Sequence, residues 1–145
     1  MLKENREITF EINEDSADEK IMIIEEGLNE FNDVMTGISD RKPLNILIRS
    51  TTTGKVIGGI QGRSSLGLLF LDLFYLPLEL RRCGVGTEVL MKFEAEGIKR
   101  GCKAAFLYTI SFQAPDFYIK NGWEEFGRIE CLPEGTSRIF MKKNL

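Results

Sequence analysis

The segment LRRCGVGTEVL, residues 80–90, sets the tightest limit on how this chain folds. An apolar run with strand character, GLLFLDLFYL (67–76), precedes it. After it, Val85, Val89, Leu90 and Phe93 recur at helical spacing over about 85–100, and AAFLYTI (104–110) reads as another buried strand. Strand, glycine turn, helix and strand make a β-α-β unit. The first N–H groups of a helix have no partner inside it and sit at the positive end of its dipole. Glycines at that point let a bulky anion approach the backbone, and Arg81 and Arg82 add fixed positive charge. The glycine pair alone fits a tight strand-to-helix turn equally well.

Bulk properties narrow the partner. The 145 residues suit one domain, 1–145, with a core that needs no disulfides. A net charge of −3 argues against a broad nucleic-acid face, so any anion site is local. No apolar run reaches membrane-spanning length and MLKENREITF has no signal-peptide core, so the expectation is cytoplasmic, with no membrane partner. Cys83, Cys102 and Cys131 have no ligand-type spacing and read as reduced thiols; no metal is expected. There is no histidine, which removes Ser-His-Asp triads, Cys-His dyads and imidazole metal sites.

The rest of the chain reads as alternating elements. EITFEIN (7–13) has the two-residue period of a half-buried strand. SADE (16–19) matches a capping box, and Ile21, Ile24, Leu28 and Phe31 follow as one helical face. LNILIRS (44–50) and VIGGIQGRS (56–64) form a hairpin across TTTGK. QAPDFYIKN (113–121) predicts a short helix, and WEEFGRIECL with SRIFMKK predicts a closing hairpin across PEGT. The order β-α-β-β-β-α-β-α-β-β gives one mixed α/β sheet protein.

Neither familiar nucleotide motif fits the glycine turn. A P-loop needs Lys-Ser/Thr after the second glycine, where Thr87-Glu88 stands, and a dinucleotide fingerprint needs a third glycine, where Val89 stands. RRCGVG does fit Arg/Gln-x-x-Gly-x-Gly, and about thirty residues on comes SFQAPDFYIKNGWEEFG, with Ala114, Phe117-Tyr118 and Gly122-Trp123-Glu124. In order and spacing these two segments resemble the acyl-CoA signatures of the GNAT superfamily of N-acetyltransferases, over nearly the whole chain. One departure is Ser111, where many relatives have Asn.

The resemblance implies acetyl-CoA as co-substrate and direct acetyl transfer to a primary amine, with no covalent enzyme intermediate. It implies a pyrophosphate loop formed by Arg81, Arg82, Cys83, Gly84, Val85, Gly86 and Thr87. The pantetheine arm then runs beside Phe74, Tyr75 and Leu76, with Ser111 and Ala114 as further cofactor contacts. Tyr118 takes the place of the family's general acid, and a homodimer through the last two strands is compatible with it. Asp72, the one ionisable residue in its apolar strand, is a candidate base if partly desolvated; an outward-facing aspartate bonded to a neighbour is the other reading. Phe31 and Asn32 are candidate acceptor contacts, or else a core side chain and a helix end. The acceptor class stays open among polyamine, drug, amino acid and protein lysine. The competing function is a non-catalytic acyl-CoA sensor, for which Tyr118 would be dispensable.

Overall fold

The computed structural model describes residues 7–145, which divide into two compact units at Ser39/Asp40. In the first unit, α1 spans Glu19–Thr36. Its N-cap is Asp18, whose carboxylate accepts from Lys20 N at 3.0 Å, and not Ser16 as the capping-box pattern predicts. The reason is a relay of side-chain turns. Asp15 N donates to Asn13 Oδ1 at 2.7 Å, Ala17 N donates to Asp15 Oδ1 at 3.0 Å, and Asn13 Nδ2 reaches Asp18 at 3.1 Å. Short polar side chains that capture nearby N–H groups in this way compete with strand and helix alike. The bond from Lys20 N also holds the Asp18 carboxyl below the usual carboxylate range. Residues 7–15 form no strand, so the first strand expected from EITFEIN is corrected. Gly37, at φ 69°, ends α1 with its N–H on the Asp33 carbonyl at 2.8 Å.

In the second unit, β1 (Lys42–Arg49), β2 (Val56–Ser65) and β3 (Leu68–Tyr75) form an antiparallel meander. Helix α2 (Val85–Lys99) then crosses to β4 (Ala104–Ile110), which lies parallel to β3. A short α3 (Pro115–Lys120) leads to the hairpin β5 (Glu124–Cys131) and β6 (Thr136–Asn144). The strand order is β1-β2-β3-β4-β6-β5, with β3 and β4 the only parallel pair among the described residues.

The core lies between this sheet and α2. Val89, Leu90 and Phe93 of α2 meet Ile60, Leu69, Leu71, Leu107, Ile139 and Met141, all buried. Each such side chain contributes about 1.5–3 kcal/mol on burial. Two glycines allow the close approach. A Cβ on Gly97 would come 2.5 Å from Leu69 Cδ2, and one on Gly62 would come 2.7 Å from the Phe93 ring. At the far end of α2, Arg100 donates to the carbonyls of Lys42 and Pro43 at 3.3 and 3.1 Å and to Ser64 Oγ at 3.0 Å. It therefore clamps the helix to β1 and β2, in addition to complementing the helix dipole.

Candidate active site

Where β3 and β4 separate, the sheet opens a wedge. Their register runs only from Leu68↔Ala104 to Phe70↔Phe106. Beyond that point β3 stays paired to β2 as far as Tyr75, while β4 stays paired to β6 as far as Ile110. Among the described residues no strand takes the vacated edge of β3 from Leu71 to Tyr75, so its backbone polar groups are free for an extended ligand. A bulge marks the start of the wedge: Gly62 pairs with Leu71 and Gln61 with Leu73, leaving Asp72 as the extra residue.

The glycine turn closes the broad end of the wedge. Arg82 and Gly84 both adopt left-handed backbone, at φ 60° and 84°. Such a conformation costs a non-glycine residue about 1–2 kcal/mol, and strain of this kind clusters at ligand-binding loops. Gly84 is the N-cap of α2, no side chain caps that helix, and nothing stands within 4 Å of where its Cβ would be. The first-turn N–H groups are left to an outside acceptor. Arg81 Nε donates to the Leu76 carbonyl at 3.0 Å, tying the turn to the end of β3. Cys83 Sγ donates to the Leu80 carbonyl at 3.0 Å.

The two glycines thus have different duties. Gly84 supplies the left-handed turn and an open approach; Gly86 is buried, and its missing Cβ makes room for Leu76 and the Phe117 ring. Arg81, Arg82, Cys83 and Gly84 are exposed, and Val85 and Thr87 are half-buried. This cradle suits a pyrophosphate: uncapped helix N–H groups, open space at the turn and two exposed guanidinium groups.

Helix α3 forms the remaining wall. Phe74 of β3 meets Phe117 edge-on, with ring centroids 6.0 Å apart, so the two sides of the wedge touch through these rings. Tyr118 is buried between Phe117, 5.2 Å away, and Trp123, 6.0 Å away. Burial pushes its phenol up to about 12. Ala114 is the half-buried residue before α3, Leu76 is half-buried against Gly86, and Tyr75 is exposed. Ser111 lies at the end of β4; its N–H donates to the Ser137 carbonyl at 2.9 Å and its Oγ accepts from Ser137 N at 3.0 Å. Its hydroxyl proton remains for another acceptor.

The structure bears on the open readings at two sites. Asp72 is exposed, 3.4 Å from Arg63 Nε, whose guanidinium also lies 4.0 Å over the Phe70 ring. Of its two readings, the outward-facing aspartate bonded to a neighbour is the one found, because the bulge turns Asp72 outward beside a cation. Phe31 is 61% exposed on α1, so it is no core residue, and the Asn32 carbonyl accepts from Thr36 Oγ1 at 2.8 Å. Both belong to the first unit.

Residues 6–123 match the family model described as acetyltransferase (GNAT) family. The chain belongs to the GNAT family. A GNAT protein so matched is an acetyl-CoA-dependent acyltransferase. Over 120 residues it is 32% identical to an acetyltransferase of Agrobacterium fabrum, covering 83% of this chain and 87% of that one. Blasticidin-S acetyltransferase of Streptomyces morookaense is 28% identical over 112 residues, covering 74% and 82%. A crystal structure from Agrobacterium tumefaciens superposes with a TM-score of 0.86 at 30% identity, covering 95% of this chain and 100% of that one. Among the described residues no group of acidic, cysteine or histidine side chains has the makings of a metal site.

Sequence reasoning passed over Glu94 and Lys143. Glu94 is buried on α2, accepts from Trp123 Nε1 at 3.3 Å and pairs with Lys143 Nζ at 2.5 Å. A signal was present: Glu94 falls four residues after Leu90, inside the apolar stripe of the helix.

Proposed function

We propose that this GNAT protein moves an acetyl group from acetyl-CoA directly to the primary amine of a small molecule, within a ternary complex. The observation that carries the reading is the meeting of three features at one wedge: the uncapped α2 N-terminus, the vacated edge of β3 and the Phe117 ring, against which the buried Tyr118 packs. Acetyl-CoA, when bound, supplies an activated acetyl thioester. The glycine turn from Arg81 to Thr87 holds its pyrophosphate, and β3 from Phe74 to Leu76 offers backbone groups to its arm. Ser111 and Ala114 flank that arm from the far wall. A β3 N–H directed at the wedge is a preorganised donor for developing negative charge on oxygen.

Tyr118 keeps its proton at Oη through the neutral range, since burial holds its pKa near 12. Giving that proton outright to a thiolate of pKa about 8.5 is uphill by roughly 5 kcal/mol. The phenol therefore acts by donating a hydrogen bond to the departing sulfur rather than by full transfer. Asp72, exposed and paired with Arg63, does not meet the desolvation its role as a base required, so the amine proton is assigned to solvent water. A cysteine nucleophile finds no support: Cys83 is exposed and its thiol is engaged with a carbonyl. The relative named for blasticidin S favours a small-molecule acceptor over a protein lysine.

Initial rates over a panel of polyamines, aminoglycosides, nucleoside antibiotics and lysine peptides test this. Intersecting double-reciprocal plots with one small amine are expected. Parallel plots would require a covalent intermediate, and no turnover with firm acetyl-CoA binding would favour the sensor. Acetyl-CoA at about 100 times its Kd adds about 2.7 kcal/mol, a rise in Tm of roughly 5–11 °C. An unchanged Tm would remove the cofactor assignment.

A further inference from the structure

Glu94 is the one charged residue in the buried core of the described residues, and no step above uses it. Its two oxygens are divided between two elements. Oε2 accepts from the Trp123 indole at 3.3 Å, and Oε1 pairs with Lys143 Nζ of β6. Lys143 in turn donates to the Asn121 carbonyl at 2.8 Å, and Asn121 Nδ2 donates to the Phe117 carbonyl at 2.8 Å. The network therefore grips the C-terminal end of α3 from both α2 and β6. That end is where Tyr118 is held: its carbonyl accepts from Asn121 N and Trp123 N, each at 3.0 Å, and Trp123 packs edge-on against its ring.

A buried ion pair is a poor way to gain stability, because desolvation offsets much of the attraction and apolar replacements often serve as well. What a pair of this kind does supply is direction. Gly86 meets Phe117 and, two turns along α2, Glu94 meets Trp123, so the helix that opens the anion cradle also sets the rotation of α3. We propose that Glu94 and Lys143 are positioning residues that act through Trp123 and Asn121 to fix the Tyr118 ring at the wedge. The inference rests on the reading of Tyr118 as the hydrogen-bond donor.

Trp123 is the only tryptophan of the chain, so its fluorescence reports this network without any acceptor or cofactor. The test uses the full-length protein free of ligand, with two variants: Glu94→Gln, and the double variant Glu94→Leu with Lys143→Met, which replaces the pair by apolar groups. Acrylamide quenching of Trp123 is measured beside the ionisation midpoint of Tyr118, taken as the 295 nm titration difference from the matching Tyr118→Phe protein. With positioning, both variants keep a cooperative melt within a few degrees of wild type. Quenching of the buried indole rises about threefold, and the Tyr118 midpoint falls from about 12 toward the ordinary 10. Wild-type quenching and midpoint in either folded variant would overturn the proposal, leaving the pair as ordinary packing. Should the double variant not fold, Glu94→Gln decides alone by the same two readings. Neither reading involves turnover, so full activity of Tyr118→Phe would instead overturn the donor assignment.

Discussion

Gly86 and Phe117 are packed backbone against ring: a Cβ on Gly86 would lie 3.2 Å from both Cε1 and Cζ of the phenyl group, and 3.2 Å from Leu76 Cδ1. The ring has little room to give, since it is held between Phe74 and Tyr118. The helix-propensity gain from glycine to alanine is about 1 kcal/mol, while overpacking costs about 1–3 kcal/mol. Gly86→Ala is therefore expected to lose about 1 kcal/mol net in urea unfolding and to lower kcat/KM about tenfold by displacing α3. A stabilised variant with full turnover would show that the ring moves freely.

Arg82 gives a prediction in which backbone and charge separate. Its φ of 60° favours glycine, so Arg82→Gly should be more stable than Arg82→Ala, by about 1 kcal/mol. Both variants lose the same exposed cation. Coenzyme A affinity should therefore fall by a similar factor in each, about 5- to 30-fold, corresponding to about 1–2 kcal/mol for a charge-assisted contact with water nearby. Calorimetric titration and urea unfolding on the pair check both halves. Unequal affinities would mean that the cradle depends on the backbone strain rather than on the guanidinium.

Which parts were legible in the sequence follows from how local the determining forces are. The β-α-β unit and both hairpins come from periodicity and turn residues within a dozen positions, and they lie within a few residues of their expected bounds. The strand expected at 7–13 fails because alternation states only what a strand would bury, not that an edge receives it; the side chains of Asn13 and Asp15 direct the following N–H groups into turns. Asp72 stayed between two readings for a related reason. An apolar run leaves open whether its aspartate is buried or turned outward, since a bulge depends on the register with β2, which the run itself does not encode. Gly86 was legible as a glycine that matters and not as a packing glycine, because Phe117 is brought to it from 31 positions away.

Gly97 makes the approach of α2 to the sheet testable. Its Cβ would fall 2.5 Å from Leu69 Cδ2, and Leu69 is fully buried with no open side to move into. Gly97→Ala should cost about 1–2 kcal/mol net, after the same helix-propensity gain. The collision is with a side chain, so it is relieved by trimming that side chain. Added to Leu69→Ala, Gly97→Ala should then cost at least 0.5 kcal/mol less than it does alone. Strict additivity in the double-mutant cycle would place the strain elsewhere.

Tyr118 predicts the alkaline limb of the stability curve. Its phenol titrates near 10 in the unfolded chain and, through burial, at about 12 in the folded one. The unfolded state therefore loses its proton first as pH rises. Below pH 10 this residue's contribution is fully present; between pH 10 and 12 it is lost, to a total of roughly 2–3 kcal/mol. Cys102, whose thiol is raised from 9.0 chiefly by burial, acts in the same direction at somewhat lower pH. Urea unfolding at pH 8 and pH 11.5 separates the two, because Tyr118→Phe removes the phenol and leaves the thiol. The variant should lose clearly less stability than wild type between those two values. Equal losses would mean that the hydroxyl reaches solvent in the folded protein, and the argument that burial limits Tyr118 to hydrogen-bond donation would go with it.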